Sequence, residues 1–61
     1  MELEQEFYPD QVVRLKNGDP TRHFVIQYCN VDYNPWGFEE WIYTTYDGKR
    51  FWQYELQEAY Y

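Results

Sequence analysis

Sixty-one residues leave room for a single hydrophobic core, and a chain this short buries only a modest share of its surface. Eleven acids against five bases give a net charge of −6, which argues against unassisted binding to phosphate backbones, since those need clustered Lys and Arg. One cysteine and one histidine exclude an internal disulfide and a Cys/His metal staple, so cohesion must come from the three Trp, eight Tyr and four Phe.

In chain order, "MELEQE" carries acids and no base and is predicted to be a loose acidic N-terminus over residues 1–6. It has no apolar run and does not read as a signal peptide, and no segment approaches the length of a membrane span. With its one unpaired cysteine, the chain reads as soluble and cytoplasmic, without membrane insertion. Its start at Met1 and the absence of a tag or linker fit a complete small gene product. "FYPD" marks a turn. "QVVRL" then has the residue types and the period of a strand, with Val13 and Leu15 on one face. "KNGDPT" is strong punctuation, and its Asn17-Gly18 pair favours positive φ.

"RHFVIQYCN" reads as a second strand. Strict alternation places Phe24, Ile26 and Tyr28 on one face, and Val25, Gln27 and Cys29 on the other. The stretch from Val31 to Trp41, broken by Asn34-Pro35 and Gly37, is predicted to be a loop unusually rich in aromatics. "EEWIYTTY" resumes as a strand. Asp47-Gly48 is the expected type I′ hairpin pair, and "RFWQY" returns as its partner strand. "YELQ" has room for one short helical turn, and "EAYY" is a last edge strand or a tail. The 3.6-residue period nowhere holds over three turns. The chain therefore reads as one all-β domain over residues 1–61: a small SH3-like barrel of four or five short antiparallel strands.

The phrases "FYPDQVVRLKNGDP" and "YDGKRFWQYELQEA" resemble the YodC-like family of small bacterial proteins of unknown function. Val13, Leu15, Lys16, Gly18 and Pro20 match the first phrase of that family, and Asp47, Gly48 and Lys49 match its aromatic-Asp-Gly-Lys hairpin. Pro9-Asp10-Gln11 departs from its Gly-Asp step, and "CNVDYNPWGFEEW" has no counterpart there. The matches cover about half of the chain. The resemblance implies an SH3-like barrel and no particular activity.

Nothing in the chain assembles a catalytic constellation. His23 begins a strand beside Phe24, Cys29 has no neighbouring base, serine is absent, and the adjacent Glu39 and Glu40 point in different directions. No catalytic, metal or cofactor site is assigned, and the "DYN" at residues 32 to 34 reads as turn chemistry. A barrel this small has no room inside for fifteen aromatics. Alternation assigns Phe24 and Tyr28 inward, with either Trp41 and Tyr43 or Ile42 and Tyr46. Several of Tyr33, Trp36, Phe38, Trp52, Tyr60 and Tyr61 are left on the surface, where Tyr and Trp mark contact sites.

The reading is a non-enzymatic protein-interaction module, a small accessory or regulatory protein. Its partner-binding residues are Tyr33, Trp36, Phe38, Glu39, Glu40 and Trp52, with the glutamates addressing a basic surface on a protein partner. The competing reading makes the loop a lid over one end of the barrel. Two alternatives rank lower: an acidic inhibitor that mimics nucleic acid on a host enzyme, and a single-stranded nucleic-acid binder that stacks bases on exposed aromatics. Homo-oligomerisation is compatible with all of them.

Overall fold

The structure is a computed structural model, described here over residues 3–59. Five strands form one antiparallel sheet: β1 (Val12–Leu15), β2 (Phe24–Tyr33), β3 (Glu39–Thr45), β4 (Arg50–Trp52) and β5 (Leu56–Glu58). A single 3-10 turn, Gln53–Glu55, links β4 to β5. The strand order is β4-β3-β2-β1-β5. The all-β class holds, and the arrangement is consistent with a small SH3-like fold. The barrel is not closed, however: β4 and β5 stand at opposite edges of the hydrogen-bonded order.

The long strand β2 makes the sheet bend. Its first part pairs with β1 (Val12 opposite Val25, Val13 opposite Phe24), and its remainder pairs with β3 from Ile26 to Tyr33. The register slips between Ile26 and Tyr28. Such a bulge leaves one residue unpaired, bends the strand and shifts the parity of all that follows. Phe24 and Ile26 are buried as alternation predicts, but Tyr28 is 58% exposed, and Cys29 packs against the core in its place. The inward assignment of Tyr28 is therefore corrected, and the bulge is the reason.

Phe7, Val13, Phe24, Ile26, Tyr43 and Leu56 form the buried cluster, flanked by Leu15, Cys29, Trp41 and Phe51. Of the two inward pairs left open for β3, Trp41 with Tyr43 faces this cluster. The Phe7 and Tyr43 rings meet edge-on at 5.6 Å, and those of Phe24 and Phe51 lie 4.8 Å apart, spacings at which aromatic pairs gain energy beyond area burial. Thr45 is also buried, its hydroxyl donating to Asp47 in the following turn.

The N-terminal segment is not loose where it is described. Gln53 gathers it: its Oε1 accepts from Glu6 N and from the Tyr43 hydroxyl, and its Nε2 donates to Glu4 O. Trp41 Nε1 donates to Leu3 O. Phe7, next along the chain, is buried in the core cluster, and its N donates to the Tyr43 hydroxyl. Acidity fixed the reading of residues 1–6 as a tail, and the amide that holds Glu4 and Glu6 comes from the far end of the chain.

Both glycine hairpins use one design. In the β3–β4 connection Gly48 N donates to Thr45 O, Thr45 N donates to Lys49 O, and Gly48 has φ of +83°. In the β2–β3 connection Gly37 N donates to Asn34 O, Asn34 N donates to Phe38 O, and Gly37 has φ of +84°. A turn closed by one left-handed glycine is the three-residue loop with a G1 bulge. The type I′ expectation at Asp47-Gly48 is corrected, because that turn needs positive φ at both residues and Asp47 does not have it. Gly18 likewise lacks positive φ. It is glycine because a Cβ there would lie 2.8 Å from the Leu15 Cβ.

Candidate functional site

The predicted loop from Val31 to Trp41 is mostly paired strand. β2 runs to Tyr33 and β3 starts at Glu39, so only residues 34 to 38 connect them. Asn34 organises this connection, its side-chain oxygen accepting from Trp36 N and from Phe38 N at 3.0 Å each. Pro35 pre-sets the turn, and the two rings project outward from a fixed backbone. Trp36 and Phe38 are each 69% exposed, and Tyr33 is 68% exposed. Exposure at this level does not fit a lid over the barrel end, which would bury these rings.

Register then divides the predicted set. Tyr33 pairs with Glu39, Val31 with Trp41, and Cys29 with Tyr43, so these residues share the parity of the core face. Asp32 pairs with Glu40 and Asn30 with Ile42, on the opposite, outer face. Ile42 also pairs with Trp52 of β4. The sheet therefore puts Glu40 and Trp52 on one surface and leaves Tyr33 and Glu39 on the other.

Trp36 joins the outer surface through a residue absent from the predicted set. Its ring meets Tyr54 at 5.8 Å in an edge-on contact, and Tyr54 in turn stacks on Trp52 at 6.3 Å with planes only 4° apart. Ile42 points away from the core cluster, with Asn30 and Trp52 as its cross-strand neighbours, yet it remains buried at 7% exposure. Ile42 thus flanks Trp52 at one end of a strip of three rings, Trp36, Tyr54 and Trp52. The period of two links Trp52 to Tyr54 in "RFWQY", and that was the available signal. The 3-10 turn at Gln53–Glu55 aims Tyr54 at the hairpin tip, which no local pattern reveals.

Carboxylates dominate the hairpin-tip end of the strip. Burial and the nearby carboxylates of Glu55 and Glu40 push the Tyr54 phenol above its ordinary range. Asp32 stands across from Glu40, and no Lys or Arg occurs between Arg22 and Lys49 or after Arg50. Two of the five bases border the strip: Arg50, opposite Thr44, shares the outer face with Trp52 two residues along β4, and Lys16 N donates to Glu55 O beside Tyr54. Arg22 lies over the Phe24 ring at 5.3 Å, Arg14 is on β1 and Lys49 is in the β3–β4 turn. A groove of about 280 Å³ lined by Leu15, Asn17, Tyr54 and Glu55 adjoins the strip. A larger depression, about 360 Å³, is lined by Glu6, Phe7, Lys16, Leu56, Gln57 and Glu58 and has no exposed aromatic.

The groups considered for chemistry lie apart from this surface. His23 is exposed just before β2. Cys29 is half-buried, its thiol aimed at Phe7 O, and burial raises its pKa above the usual thiol value. Among the described residues no group of three His, Cys, Asp or Glu side chains is placed to hold a metal ion, and no helix is long and apolar enough to cross a membrane. Tyr60 and Tyr61, part of the predicted surface set, lie outside the described residues. No protein-family model, curated protein or solved structure matches the chain.

Proposed function

We propose that this chain is a non-enzymatic interaction module, a small cytoplasmic accessory protein. Its contact surface is the outer-face strip of Trp36, Trp52 and Tyr54 with Glu40 and Glu55 beside it. The observation that carries the reading is the contact chain Trp36–Tyr54–Trp52, with Ile42 opposite Trp52 and the carboxylates of Glu55 and Glu40 close to Tyr54. Trp36 and Tyr54 are exposed and Trp52 is half-buried, and Trp and Tyr grouped in this way are what interface hot spots are made of. The surrounding carboxylates select a partner of positive charge and speed its approach. Tyr33 and Glu39, on the other face of the hairpin, form a rim and not the centre, and Phe38 is an exposed ring of the connecting turn.

Titration at low salt tests the reading. The intrinsic tryptophan emission is followed while a basic peptide, an acidic peptide of matched length and single-stranded DNA are added in turn. The basic peptide is expected to shift the emission, with affinity that weakens as salt is added. The acidic peptide and the DNA are expected to leave the emission unchanged. Tight, salt-sensitive DNA binding would replace this reading with base stacking on the same rings.

A further inference from the structure

The outer face of the β2–β3 hairpin carries a charge conflict that no residue of the hairpin relieves. Asp32 and Glu40 stand directly opposite one another on the same face, and like charges so placed weaken a sheet. Each accepts one neighbouring backbone N–H, Tyr33 N on Asp32 and Trp41 N on Glu40, which keeps both carboxylates fixed in place. Glu55 is held in turn, accepting from Trp52 N at 2.9 Å. Fixed carboxylates beside flat rings suit a cation that is itself flat.

We propose that the occupant of the strip is an extended, arginine-bearing segment of a protein partner, its guanidinium groups lying on the Trp36, Tyr54 and Trp52 rings and pairing with Glu40 and Glu55. This rests on the interaction-module reading and narrows it to one recognition chemistry. Arginine is favoured over lysine because the guanidinium is planar, stacks on aromatic faces, is more weakly hydrated and presents five donors to carboxylates. A lysine ammonium brings the same charge as a strongly hydrated point. The ring-to-ring steps of 5.8 and 6.3 Å are close to the ~6.6 Å between alternate side chains of an extended chain. Arginines at every second position of the segment therefore meet successive rings.

The test uses the full chain and three synthetic peptides of one length. One carries arginines at alternate positions, one has lysines there, and one has citrulline, the neutral isostere. Binding is read from tryptophan emission and by calorimetry. The arginine peptide is expected to bind about fivefold or more tightly than the lysine peptide, and the citrulline peptide more weakly than both. Glu40→Gln is expected to narrow the arginine–lysine gap without lowering the melting temperature, since it also relieves the repulsion with Asp32. Equal affinity for arginine and lysine would overturn the inference and leave the interaction-module reading standing on charge alone. Binding of none of the peptides would overturn both. Sedimentation showing self-association that Trp36→Ala abolishes would overturn the inference by assigning the strip to a second copy of this chain.

Discussion

Replacement of Tyr43 by alanine is expected to leave the domain unfolded at 25 °C. Tyr43 is fully buried, touches Phe7 edge-on and stacks with Trp41 at 6.5 Å. Its hydroxyl donates to Gln53 Oε1 at 2.5 Å and accepts from Phe7 N at 3.3 Å. It thus joins the central strand to both the N-terminal segment and the 3-10 turn. Cutting a large buried ring to a methyl group costs about 3–5 kcal/mol. A core in this size range rarely supplies more than about 3–5 kcal/mol in total, so nothing is left to hold the fold. Tyr43→Phe separates the ring from the hydroxyl: it keeps the packing and loses the two hydrogen bonds. At about 1 kcal/mol for each bond and about 4–8 °C of melting temperature per kcal/mol, it should fold but melt well below the parent.

The same residue sets an alkaline limit. Burial, the largest cause, pushes the Tyr43 phenol up to about 12 from the ordinary 10. The folded state therefore holds this proton more tightly than the unfolded chain does. That contribution is complete below pH 10 and is lost as the pH rises from 10 to about 12. Melts followed by circular dichroism across that window should show the parent losing stability more steeply than Tyr43→Phe. A Tyr43→Ala variant that melted like the parent would contradict the core described above.

The second large effect is on binding and spares the fold. Trp36→Ala combined with Tyr54→Ala should reduce affinity for a cationic segment by about 30-fold or more, the loss of roughly 2 kcal/mol that a hot-spot ring carries. Both rings lie outside the core cluster, Trp36 at 69% and Tyr54 at 39% exposure, so the melting temperature should fall far less than for a core change. Trp41→Ala gives the converse. Trp41 packs against the core and ties Leu3 through its indole N–H, so its removal should destabilise the protein and lower binding only through the unfolded fraction. Equal destabilisation by Trp36→Ala and Trp41→Ala would return the hairpin tip to the role of a lid.

Most of the strand plan was legible in the sequence because period-two alternation and Gly punctuation are local signals. "QVVRL", "EEWIYTTY" and the turn at Asp47-Gly48 fall within a residue or two of β1, β3 and the β3–β4 connection. What misled was non-local or a matter of one residue. The bulge between Ile26 and Tyr28 reversed the parity of β2, which moved Tyr28 out and Cys29 in. The loop from residue 31 to 41 was read from Pro and Gly, although its flanks pair at three registered positions of β2 and β3, Val31 with Trp41, Asp32 with Glu40 and Tyr33 with Glu39. Pairing register then split the site: Tyr33 and Glu39 share one face, while Glu40, Trp52 and the hairpin-tip Trp36 reach the other. Tyr54 was missed because its place depends on a 3-10 turn that turns one ring toward another eighteen positions earlier. The clamp of Glu4 and Glu6 by Gln53 is equally invisible in a sequence where the two lie at opposite ends.

The central claim is that a cationic partner segment lies on the outer-face strip, and the three tryptophans make it directly observable. Each indole N–H gives its own resonance in a two-dimensional nitrogen–proton spectrum of labelled protein. Titration with the alternating-arginine peptide should move the Trp36 and Trp52 signals together, and leave the Trp41 signal, held by Leu3 O, in place. Movement of the Trp41 signal with those of Trp36 and Trp52 unmoved would contradict the account.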